Sequence, residues 1–171
     1  HAIARLACTG DAAAVDALAN RRSVETLPDV RGALLRAALM LDVDRTFPTA
    51  VDALTDASPV VRQSAAAGLL LSGGIGGVLA AGPHVLEWLK ADAAAERITA
   101  ARTLGEVGVG AYYQLLIPLF SDDDPDVRRA AVEAAGALDH ERLWPYVVKS
   151  LAQPSTTQVA VAALARGGHH F

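Results

Sequence analysis

Apolar side chains recur along this chain at helical spacing, and the clearest case is DDDPDVRRAAVEAAGAL, residues 122–138. Val127, Ala130, Ala131, Ala134, Ala135 and Leu138 fall on one face of a helix. The start of that helix is written in the residues before it. Asp124 is a good N-cap, because its carboxylate accepts from the free N–H groups of the first turn. Pro125 suits the first helical position, where no N–H is needed. Asp126 places negative charge at the positive end of the helix dipole. Most of the apolar face is alanine, which lets neighbouring helix backbones approach closely.

The pattern returns. LPDVRGALLRAAL carries Arg31, SPVVRQSAAAGLL Arg62, AAERITAARTLG Arg97 and DPDVRRAAVEAAG Arg128, while PSTTQVAVAALARGG has Thr157 at the same position. The separations are 31, 35, 31 and 29 residues, the period of a helical array. A second amphipathic segment precedes each copy: AVDALAN, FPTAVDALTD, HVLEWLKAD, YYQLLIPLFSD and LWPYVVKSLAQ. Each unit is thus predicted to be a helix, a short acidic turn and a second helix. One such hairpin cannot bury its apolar faces alone, and stacked neighbours bury them jointly.

This unit resembles the HEAT-repeat family, most closely at Asp122 to Gly136 and Arg97 to Gly105. The resemblance implies an all-α, right-handed α-solenoid of about five stacked helical hairpins, spanning 1–171 as a single HEAT-like domain. It also implies a ladder between successive units, with Asp56, Asp92 and Asp122 as the acids of the turns and Arg62, Arg97 and Arg128 as the arginines of the second helices. Arg31 matches the arginine position behind a longer insertion, NRRSVETLPD. Thr157 departs from it, so the ladder is expected to end near the fourth full unit.

Composition agrees with helices. The 171 residues are 52% hydrophobic and about a fifth alanine, with 5% aromatics, too few for a β-sandwich. A net charge of −4 gives no pull towards nucleic acid. The single cysteine, Cys8, rules out an internal disulfide framework and is expected to be a buried, inert thiol. The chain opens at His1 inside a helical pattern, AIARLAC, and stops at ARGGHHF, as expected of a piece of a longer protein. Residues 63–86 contain no Asp, Glu, Lys or Arg. Glycines and Pro83 interrupt that run, so a buried helix followed by an apolar loop is expected, with no insertion into a membrane.

Chemistry is hard to find. SGGIGG at 72–77 lacks the Gly-Lys-Ser/Thr ending of a phosphate loop and reads as a flexible connection. His84 and Glu87 stand three apart, too few ligands for a metal, and His84 is expected at a helix start after Pro83. His169 and His170 sit at the chain end. Deoxyhypusine hydroxylases, which are HEAT-like, bind two irons through several His-Glu pairs, whereas His140-Glu141 is a lone pair here. A HEAT-like DNA glycosylase would need a basic, aromatic-lined face that this acidic chain lacks. The aromatics Trp88, Phe120, Trp144 and Tyr146 are expected in the packing of first helices.

The expectation is therefore a non-catalytic scaffold for protein–protein or interdomain contacts, with no enzyme activity, cofactor or metal. Its candidate contact residues are Arg36, Gln63, Ile98, Arg102, Arg129 and Glu133, which follow the ladder arginines, and the pair Tyr112 and Tyr113, which cannot both face inward. A protein partner or the flanking domains of the same chain would be met there, in the cytoplasm. A runner-up rests on AERITAARTLGEVGVGAYYQLLIPLFSDDDPDVRRAAVEAAGAL. This run is similar to HEAT segments of bacterial proteins that join a nucleotide-transporter-like membrane part to a cyclic-nucleotide-sensing domain, which implies a cytoplasmic relay. A HEAT-like bilin lyase stands third.

Overall fold

Proline and acid residues set where the helices begin, and small residues set how closely they lie. The structure, a computed structural model, describes residues 12–167. All secondary structure among these residues is helical. The expectations for AIARLAC, Cys8, His169 and His170 fall outside them. The chain divides between Leu86 and Glu87 into two compact units.

The first unit contains α1 (Ala12–Val24), α2 (Pro28–Leu41), α3 (Val43–Asp52), α4 (Pro59–Ser72) and most of α5 (Gly74–Leu89). Pro28 and Pro59 occupy the first turns of α2 and α4. Asp42 caps α3 by accepting from the Arg45 backbone N–H at 3.1 Å. Leu18 of α1 meets Leu34, Ala37 and Ala38 of α2 in a buried cluster. The α2–α4 approach is close: a Cβ on Gly32 would lie 2.4 Å from Ser64 Oγ.

Two expectations are corrected here. SGGIGG is not a flexible loop, because α4 ends at Ser72 and α5 begins at Gly74. A turn this tight needs Gly74 at φ +55°, and a Cβ on Gly77 would fall 2.0 Å from Leu69 O. His84 does not stand at a helix start, since α5 runs through Pro83 to Leu89.

The second unit contains α6 (Ala94–Val107), α7 (Tyr113–Leu116), α8 (Pro125–Leu138), α9 (Trp144–Ser150) and α10 (Thr157–Arg166). YYQLLIPLFSD does not form one α-helix. Tyr113–Leu116 is α-helical and Ile117–Ser121 tightens to 3₁₀, with Pro118 at its start removing a backbone donor. Asp124 caps α8 through the N–H groups of Asp126 at 2.8 Å and Val127 at 3.3 Å. Small residues again permit close helices. A Cβ on Gly105 of α6 would lie 2.9 Å from Ala134 Cα of α8, and one on Gly136 would lie 2.8 Å from Ala163 Cβ of α10. Each unit is therefore a run of stacked helical hairpins in the HEAT-like α-solenoid manner.

Candidate functional site

The arginine that opens a second helix does a local job at Arg62, Arg97 and Arg128, and a job between hairpins at Arg31 and Arg97. The common job is local. Arg62 Nη1 donates to the carbonyls of Asp56 (2.8 Å) and Ala57 (3.2 Å), and Arg97 Nη1 to those of Ala91 (2.8 Å) and Asp92 (2.7 Å). Arg128 Nη1 does the same with Asp122 (2.6 Å) and Asp123 (3.0 Å). Each thus ties down the turn in front of its own helix. Thr157 stands in the same place with a hydroxyl that lies 2.8 Å from Gln153 O and 3.0 Å from Leu151 O.

The second job links hairpins. Arg31 bonds Asp56, 25 residues on. Arg97 grips Asp122, also 25 residues on, with a two-pronged fork: Nε to Oδ2 at 2.7 Å and Nη2 to Oδ1 at 2.8 Å. Asp122 Oδ1 additionally accepts the Asp124 N–H at 2.9 Å. These contacts, the Arg97 bonds foremost, hold the Asp122 carboxyl below the usual range against the opposing effect of burial. The bond to Asp122 likewise raises Arg97.

Arg128 makes no such link. The residue 25 positions after it is Gln153, and the residue six before Thr157, which matches Asp122, is Leu151. Neither is an acid. The Nε of Arg128 is buried without a hydrogen-bond partner. A groove of about 520 Å³ opens at this spot, within the size range of small-molecule sites.

Four stretches of chain build the groove, with Arg128 supplied by α8. Phe120 comes from the 3₁₀ turn after α7, and Tyr146 and Lys149 come from α9. The Phe120 and Tyr146 rings lie 5.3 Å apart at 36°, forming an apolar wall. Lys149 is exposed beside it, and Gln153, Pro154 and Ser155 form the opposite rim. Asp122 also touches the groove, but its carboxylate is already held by Arg97. Two cations, Arg128 and Lys149, thus face a concave space with an aromatic floor.

The residues proposed as partner contacts are scattered. Arg36 and Gln63 are half-buried on α2 and α4 of the first unit. On α6, Ile98 is half-buried and Arg102 exposed, and on α8 the exposed Arg129 pairs with Asp126 at 3.1 Å. Glu133 lines a shallow cleft with Val159 and Arg166. Tyr112 and Tyr113 are both half-buried. Tyr113 stacks on His140 with centroids 4.2 Å apart, and its hydroxyl accepts from Arg142 Nη1 (2.6 Å) and Gln114 Nε2 (3.0 Å). Those two donors, Gln114 first, lower its pKa. His140 also accepts the Arg142 N–H at its Nδ1, so this histidine caps a turn. Sequence reasoning missed the groove residues Tyr146, Lys149 and Gln153 as a set. The one available signal was the end of the ladder, with Thr157 in the arginine position and Gln153 where Arg128 would need an acid.

Among the described residues, no three His, Cys, Asp or Glu side chains lie together in a way that could hold a metal ion. No described helix is long and apolar enough to cross a membrane.

Comparison with known proteins places the fold. Residues 82–165 match the family model for HEAT repeats, so this stretch is built of HEAT repeats. Among solved structures, human deoxyhypusine hydroxylase in complex with glycerol is similar, with a TM-score of 0.54 and 19% identity. The alignment covers 96% of this chain and 65% of the hydroxylase, so the chain spans about two thirds of that enzyme's length. No curated protein matches the sequence. The reading as a non-catalytic scaffold, and with it the expectation of no enzyme activity, is corrected by this neighbour. The same helical framework carries an enzyme, so stacked hairpins alone are no ground for assigning a scaffold.

Proposed function

We propose that this chain binds a small organic anion with an apolar body in the groove of its second unit, and that the groove is a substrate site in an enzyme's use of the HEAT-like framework. One observation carries the reading. Arg128 and Lys149 face a cleft of about 520 Å³ floored by Phe120 and Tyr146. Pairs of this kind suit an anionic head beside a planar or aliphatic tail: the cations hold the charge, and the rings supply area. The enzymatic part of the proposal draws on the hydroxylase, which uses this fold for catalysis.

The test is a backbone NMR titration of the chain with benzoate, benzenesulfonate, phenyl phosphate and neutral benzyl alcohol. At least one anion is expected to shift the signals of residues 120–122 and 146–155, and Lys149→Glu is expected to weaken the effect about tenfold. Shifts of the same size with benzyl alcohol, or no shift with any compound, would overturn the proposal.

A further inference from the structure

We infer that the anionic group taken by this groove is a carboxylate, which supplies from a ligand the rung that the chain itself omits. The inference rests on the small-anion reading above and narrows it. Its argument is internal comparison of two arginines in one unit. Arg97 and Arg128 occupy equivalent places, and each spends Nη1 on two carbonyls of its own turn. In Arg97 the remaining edge, Nε and Nη2, holds the two oxygens of Asp122. In Arg128 the Nε is buried and has no partner, the residue 25 positions on is Gln153, and a groove opens beside the side chain.

A buried guanidinium N–H without an acceptor is costly, and its fork geometry matches a planar two-oxygen acceptor. The Asp122 carboxylate on Arg97 shows what that acceptor looks like in this framework. A free carboxylate entering the groove would repeat the same two bonds on Arg128 once a small side-chain shift uncovers the Nε. Lys149 would add charge at the exposed side, and the body of the acid would lie along Phe120 and Tyr146. Sulfonates and phosphates can also accept two bonds from a guanidinium edge, so the carboxylate is singled out by the Asp122 group that fills the equivalent place at Arg97. The ligand class is therefore a small carboxylic acid with an apolar, preferably aromatic, body.

Substituting the rung inside the chain tests this directly. Gln153→Glu offers a tethered carboxylate in the groove. Calorimetric titration of the wild-type chain is expected to show benzoate binding at least tenfold tighter than benzenesulfonate or phenyl phosphate. Gln153→Glu is expected to weaken benzoate at least tenfold while keeping or raising the melting temperature. Arg128→Lys, which keeps the charge and removes the fork, should abolish the preference for benzoate while leaving a residual affinity for all three anions. Equal affinities for the three anions in the wild type, with benzoate binding untouched by Gln153→Glu, would overturn the carboxylate assignment and leave the small-anion reading standing. Absence of binding by every anion would overturn both.

Discussion

At the scale of single residues, Asp122 ties one hairpin to the next. It accepts two bonds from Arg97 and one from the Asp124 N–H, with only 10% of its side chain exposed. Asp122→Ala strips both acceptor oxygens with their three bonds and leaves a largely buried guanidinium without its carboxylate partner, which costs about 2–3 kcal/mol in urea unfolding. The same pairing makes a pH prediction. The carboxyl is held below its ordinary value in the folded state, so its stabilising contribution is present above the unfolded pKa. It disappears as pH falls through the folded value, that is, from about pH 4 downwards. Asp122→Asn is therefore expected to flatten the loss of stability below about pH 4. Identical acid profiles for wild type and variant would contradict this role.

At the scale of elements, the helices were legible where local chemistry dictates them and illegible where a distant contact decides. Asp124-Pro125 announces α8 because capping and proline geometry act within one turn. SGGIGG misleads because the reason for its glycines lies elsewhere: Gly77 is needed against the Leu69 carbonyl, which sequence does not place beside it. YYQLLIPLF has a helical pattern, yet Pro118 turns its second half into 3₁₀. The groove was illegible for a related reason. Phe120, Tyr146 and Lys149 belong to successive first helices and carry no common motif, and only the missing acid at Gln153 marks the place. Helix approach itself is testable. Gly105 lies so near Ala134 that an added methyl has no room, since it would sit 2.9 Å from a backbone carbon. Gly105→Ala is expected to cost about 1–3 kcal/mol through overpacking, although alanine is the better helix former. A stabilised variant in thermal unfolding would show that α6 and α8 are not held that close.

At the scale of the whole molecule, the sign of the groove opposes the sign of the chain. The net charge is −4, while Arg128 and Lys149 make the groove locally cationic. An acidic surface repels a small anion at long range, and the two cations attract it at short range. Added salt screens the long-range term over about 10 Å at 0.1 M and affects the contact at Arg128 less, because that guanidinium is partly buried. Affinity for a monovalent carboxylate is thus expected to change by less than about threefold between low salt and 0.3 M, where a surface held by exposed charges alone would lose far more. Binding to the folded state alone also raises stability by mass action, about 2.7 kcal/mol at a hundred times Kd. Every residue that lines the groove lies between positions 120 and 155. Hydrogen exchange with saturating benzoate is accordingly expected to slow at Phe120 to Asp124 and at Tyr146 to Thr157, with α1 to α4 unchanged. Protection spread evenly over both units would mean that the acid stabilises the chain without occupying this groove.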